Sequence, residues 1–157
     1  MTEKKDVKEE KKVVSIFDAY GTNPEKEKDG VWCDLLELPG ARARVARFSN
    51  PNAQKMMKRL QEPYKRRLRT GKDLPDDVQE EILNKVMAHT ILLELENVNA
   101  PDEKGVIRPV PNTPENFLVL LKDPRLKDFR DEIADYARTQ DLYKQDDDEE
   151  AVENLKN

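Results

Sequence analysis

One cysteine, one histidine and five glycines are the whole supply, in 157 residues, of the residue types that redox, acid–base and phosphate-cradling sites draw on most heavily. Cys33 alone excludes an internal disulfide and fits a reducing cytoplasm. With no His or carboxylate constellation near it in sequence, it reads as a small buried hydrophobe. No apolar run approaches the roughly 18 residues that a membrane span requires. The opening MTEKKDVKEEKK lacks the apolar stretch of a signal peptide. Gly-rich phosphate loops, metal-ligand clusters and nucleophile elbows are missing too. His89 sits within an apolar stripe and is expected to be a hydrogen-bonded core residue. The pair Asp76 and Asp77 falls at a helix start, where the helix dipole already accounts for it. An enzyme, a metal and a cofactor are therefore not expected.

Charge is what the chain has in abundance. Charged residues make up 39% and hydrophobic ones 36%, so much of the chain must be solvated. The net charge of −5 conceals a segregation. Residues 40–72 hold eleven Lys or Arg against one acid, Glu62, a net of +10. Residues 73–157 carry ten basic and twenty-two acidic residues, a net of −12. Such asymmetry predicts either mutual docking of the two halves or separate partners of opposite sign.

Three parts are expected: a disordered charged tail at 1–12, one domain at 13–145, and a flexible acidic tail at 146–157 that opens with DDDEE. Val13 to Phe17 reads as a short strand, and Tyr20 to Gly30 as a loop by its Gly, Asn and Pro punctuation. Val31–Leu38 and Ala41–Phe48 read as strands joined at Pro39-Gly40. Arg42 and Arg44 alternate there with Ala43 and Val45, giving one basic and one apolar face. Trp32 is expected to pack this sheet onto a helix.

From Asn50-Pro51, a cap followed by a proline, the pattern turns helical, with a break expected at Pro63. Thr70 to Leu74 reads as a turn. Pro75 then opens a helix whose stripe runs Val78, Ile82, Val86, His89, Leu93. Two further starts follow. Thr113-Pro114 opens a helix to Lys122, and Asp123-Pro124 one to about Gln145. A polar loop from Asn97 to Gly105 and a strand-like Val-Ile-Arg-Pro-Val segment precede them.

The ordered series Glu96-Asn97-Val98, Asp102 to Gly105, Ile107 to Pro111, Thr113 to Asn116 and Asp123-Pro124 resembles the tail assembly chaperones of long-tailed (siphovirus-like) bacteriophages. The likeness extends upstream through Arg47 to Pro51 and Glu62 to Arg66, and downstream to Lys156-Asn157. Leu95 stands where the family often has Trp, and the first 30 residues match little. The resemblance implies a late protein of a phage or prophage, acting in the host cell cytoplasm and absent from the mature virion. It would bind and solubilise the tape measure protein and help recruit the tail tube protein. It also implies a frameshifted longer form as a partner, since Leu155-Lys156-Asn157 can be encoded by a slippery A-AAA-AAC heptamer.

The fold expected is α+β and mainly helical: a small N-terminal antiparallel sheet of two or three strands followed by four or five helices. The candidate partner-binding residues are Met56, Met57, Leu60, Tyr64 and Leu68, at helical spacing, with Arg59, Arg66 and Arg67 beside them. Met side chains adapt to varied partner surfaces; ordinary core packing is the stronger reading of the same stripe. The alternative function is a nucleic-acid-associated phage protein using the basic 42–72 surface, with Phe48 and Tyr64 as its only interleaved aromatics.

Overall fold

The computed structural model describes residues 13–145. The tails expected at 1–12 and 146–157, and the frameshift site at 155–157, lie outside the described residues. The fold is α+β and mainly helical, as the sequence predicts.

Two short helices lead, α1 (Ile16–Tyr20) and α2 (Pro24–Asp29). Both replace an expected element: a strand at Val13 to Phe17, and a loop at Tyr20 to Gly30. The capping chemistry explains each. Ser15 accepts from the Phe17 N–H, and Asn23 accepts from the Glu25 N–H one residue ahead of Pro24.

β1 (Val31–Asp34), β2 (Arg42–Val45) and β3 (Leu92–Glu96) form one antiparallel sheet in that order. The strands at 31–34 and 42–45 are shorter than expected, because residues 35–41 close a turn in which the Leu35 N–H donates to the Ala41 carbonyl at 3.0 Å. β2 is central, pairing Arg42 with Glu96 and Arg44 with Glu94. Cys33, Ala43, Val45, Leu92 and Leu95 turn inward and are buried.

The third strand corrects the sequence reading. The helix opened after Pro75 does not run to Leu93. α5 (Asp76–Val86) is followed by a π turn, Met87–Ile91, and the chain then enters β3. The wider π turn faces the core, since Met87, Ala88, Thr90 and Ile91 are all buried.

α3 (Pro51–Gln61) packs on α5 and on the π turn. A 3-10 turn at Glu62–Tyr64 breaks it at Pro63, as expected, and α4 (Lys65–Arg69) follows. Beyond the sheet, a small hairpin joins β4 (Asn99–Pro101) to β5 (Ile107–Pro109). α6 (Pro114–Lys122) starts at the Thr113 cap and packs on the π turn. The single helix expected from Pro124 to about Gln145 is instead a 3-10 turn at Pro124–Leu126 followed by α7 (Lys127–Arg138), which packs against β2 and stops where Thr139 turns extended. A final 3-10 turn, Gln140–Tyr143, buries Tyr143, whose hydroxyl donates to the Val45 carbonyl at 2.9 Å.

Candidate partner-binding surface

Asn50 sets the geometry of α3. Its side-chain oxygen accepts from the Ala53 N–H at 2.9 Å, while its amide nitrogen donates to the Arg47 carbonyl at 2.6 Å and the Thr90 carbonyl at 3.3 Å. One buried side chain thus fixes the helix start, the end of the sheet and the π turn together. With that start fixed, the stripe expected to meet a partner divides. Met56 points into the core and is buried. Met57, Leu60 and Tyr64 are half-buried and pack against that core. Leu68 is more exposed, and Arg59, Arg66 and Arg67 face solvent.

Met57 also lines an open cleft of about 520 Å³. Phe48, Pro51, Ala53 and Val86 line it too, together with Lys55 and Lys58. A second cleft, about 510 Å³, lies between α5 and α7 and is acidic: Asp76, Glu80, Asp131 and Asp135 line it with Arg130 and Arg138. The two clefts adjoin. Val86 lines one and its neighbour Met87 the other, and the Arg138 guanidinium lies over the Phe48 ring, 5.3 Å from its centre.

The basic segment divides as well. On the sheet, Arg42 pairs with Glu96 at 2.5 Å, Arg44 with Glu94 at 3.2 Å, and Arg47 with Glu27 at 2.8 Å. Trp32 joins this outer face: it is partly exposed and lies under the Arg42 guanidinium at 4.6 Å, so it does not pack the sheet onto a helix as expected. On α3 and α4 neutralisation is nearly absent. Among the described residues Lys55, Lys58, Arg59, Arg66, Arg69 and Lys72 form no ion pair, and Lys65 meets only its helix neighbour Glu62 at 3.6 Å. Both aromatics that a nucleic-acid surface would stack on are engaged. Tyr64 is packed against the core and Phe48 lies under Arg138.

Residues with chemical potential elsewhere resolve into architecture. His89 is exposed, not a core residue, with Nδ1 2.9 Å from the Lys85 carbonyl. The helical spacing misplaced it because the π turn shifts the register after Val86. Cys33 is buried as expected, and burial pushes its thiol up to about 11. Asp102 accepts from the Val106 and Lys104 N–H groups and pairs with Arg108, and these bonds hold its carboxyl below the usual range. The acidic loop is thus a closed hairpin turn. Asp123, held to about 2 by the Arg125 side chain and N–H, caps the 3-10 turn before α7. Among the described residues no His, Cys, Asp and Glu cluster could hold a metal ion.

Sequence reading missed one surface. Ile16, Phe17 and Tyr20 on α1, with Val13 just before it, recur at helical spacing, and all are at least two-thirds exposed, Phe17 at 74%. Their spacing of three, four and seven was the available signal, overridden by the β-branched run Val13-Val14.

No curated protein and no solved structure matches the chain. A family model described as YdaY prophage protein matches residues 48–154, from the aromatic beside the α3 cleft through α7 and beyond it. That match covers more than half of the sequence, and the chain therefore belongs to the YdaY prophage protein family.

Proposed function

We propose that the protein is a phage tail assembly chaperone that holds the tape measure protein soluble until tail tube subunits displace it. It would work in the host cytoplasm, stay out of the finished particle and catalyse nothing. The single observation that carries this reading is apolar surface left open on a heavily charged protein. The α3 cleft offers Phe48, Pro51 and Met57, and Val13 with the α1 residues Ile16, Phe17 and Tyr20 offers more. Membership of a prophage family and the ordered resemblance between Arg47 and Pro124 add to it.

The clefts favour an occupant of definite chemistry. An amphipathic helix would set its apolar stripe on Met57 and Phe48, an acidic stretch near Lys55 and Lys58, and a basic stretch near Asp76, Glu80, Asp131 and Asp135. Leu60, Tyr64 and Leu68, with Arg59, Arg66 and Arg67, would extend the contact along the same side of α3 and α4. A tape measure protein, long and helical, supplies such segments in series.

Co-expression tests this directly. The product of the long helical reading frame in the same prophage should be insoluble alone and soluble with this chain. Met57→Glu should reduce the soluble yield several-fold. Equal solubility with and without the chain rules the reading out. The unpaired cations of α3 and α4 favour one competitor, nonspecific nucleic-acid binding. It would appear as a gel shift on duplex DNA that fades steeply between about 50 and 200 mM salt.

A further inference from the structure

Two clefts of opposite charge adjoin along α5. The α3 cleft reaches it at Val86 and carries Lys55 and Lys58, both exposed and, among the described residues, in no ion pair. The cleft between α5 and α7 carries four exposed carboxylates, Asp76, Glu80, Asp131 and Asp135. Arg130 answers Glu80 at 2.7 Å and Arg138 answers Asp135 at 3.7 Å. Asp76 and Asp131 have no cation among the described residues, and no ion pair there crosses from one cleft to the other. Each cleft thus keeps charge of one sign that only an outside surface of the other sign can meet.

The charges match in spacing as well as in sign. The clefts meet where the Arg138 guanidinium lies over Phe48. From there α3 runs away from its start at Pro51, and α7 runs back from its last residue, Arg138. Lys55 and Lys58 stand four and seven residues beyond Pro51, about 6 and 10 Å along α3. Asp135 and Asp131 stand three and seven residues before Arg138, about 5 and 10 Å along α7. A two-fold axis lying along α5, between the clefts, lays the basic cleft of one copy on the acidic cleft of another. Each lysine then arrives opposite a carboxylate at a similar distance from the Arg138–Phe48 contact.

We infer that two copies of this chain pair face to face about that axis, each setting Lys55 and Lys58 against Asp135 and Asp131 of the other. The contact is isologous: it is made twice and closes at two copies. Phe48 and Met57, which a single chain leaves partly open, are covered in the same step. Because charge at an exposed surface holds the pair together, salt loosens it. A partner that needs the α3 cleft must first part the copies. The pairing concerns the isolated protein and stands or falls apart from the tape measure reading.

Sedimentation equilibrium of the full chain reads the pairing as mass. At about 20 mM salt and millimolar protein the mass should be twice that of one chain, and it should fall to one chain near about 500 mM. Charge reversal then locates the contact. Lys55→Glu with Lys58→Glu should sediment as single chains, and so should Asp131→Lys with Asp135→Lys, since each variant opposes like charges across the axis. Mixed in equal amounts, the two variants should recover a two-chain mass with one chain of each, because both contacts are then of opposite sign. Only folded chains can recover it, so lost folding cannot imitate the result, and the salt response of the unaltered chain decides the case if a variant fails to fold. A single-chain mass for the unaltered protein at low salt overturns the inference, whether or not that chain shifts duplex DNA. So does a pair indifferent to both reversals, which would join through another face such as α1. Masses growing beyond two chains, or a mixture that stays as single chains, overturn it equally.

Discussion

Asn50 shows how much one residue can decide. It is 1% exposed, accepts one backbone hydrogen bond and donates two. Its capping role was legible, because Asn before Pro is a helix-start signal. Its donation to the Arg47 and Thr90 carbonyls was not, because those residues lie on other elements. Asn50→Ala should lose a cap, about 1 kcal/mol, and take a donor from the Thr90 carbonyl at about 1–3 kcal/mol for a buried group, while the Arg47 carbonyl keeps the Asn50 backbone N–H. A total loss of about 2–4 kcal/mol is expected in urea unfolding, against about 1 kcal/mol for Thr113→Ala, which chiefly loses a cap. Asn50→Asp separates the two roles: it keeps the cap and replaces both donors with a charge, and it should be no more stable than Asn50→Ala. Cys33 carries a pH prediction. Folding raises its thiol from 9.0 to about 11, so the folded state holds the proton more tightly. That contribution is fully present below pH 9 and is lost as pH rises through about 11. Melting temperature should fall over this window in the native protein and fall less in Cys33→Ala.

At the scale of elements, the sequence was most legible where a cap and a proline coincide. The starts at Pro51 and Pro114 stand where the local chemistry put them, while Pro124 opens a 3-10 turn and its α-helix begins only at Lys127. It was least legible at β3. Leu92 to Glu96 is LLELE, built of good helix formers and lacking β-branched residues, so propensity favoured continuing the helix. Pairing with β2 overrides that preference. The overlooked signal was charge at period two: Glu94 and Glu96 alternate as Arg42 and Arg44 do, and the two pairs meet across the sheet. These pairs specify register more than stability. Both partners of Arg44–Glu94 are 30–40% exposed, so a double-mutant cycle should give a coupling of only about 0.2–1 kcal/mol, falling with salt. The backbone of β3 matters more. The Leu95 N–H donates to the Asn112 side chain at 2.9 Å, and Leu95 is buried. Asn112→Ala should therefore cost about 1–2 kcal/mol in thermal or urea unfolding, more than either half of the ion pair. The reverse order would mean that the surface charges, not the capped strand edge, hold the third strand.

Over the whole molecule, two features stay unresolved by folding. One is the charge split, which Arg42, Arg44 and Arg47 neutralise at the sheet while α3 and α4 keep, among the described residues, the single pair Lys65–Glu62. The other is apolar surface away from the core. A chain with 39% charged residues has ample means to keep its outside polar, yet α1 exposes Ile16 at 67%, Phe17 at 74% and Tyr20 at 71% and buries nothing. Grouped apolar surface of this kind is what the proposed partner would cover. It also permits a clean separation of fold from function, because α1 contributes no buried side chain to the core. Ile16→Asp with Phe17→Asp should leave unfolding free energy within about 0.5 kcal/mol, as for surface changes generally. If α1 contacts the partner, the same double variant should lose most of the protein's capacity to keep a co-expressed tape measure protein soluble. Met57→Glu differs in kind, since Met57 packs against the core, and some stability should go with the binding. Measuring stability and soluble partner yield for both variants therefore locates the contact. Full solubilising capacity in the α1 variant would leave the α3 cleft as the working surface. Full capacity in both variants would remove the apolar surfaces, and the chaperone reading with them.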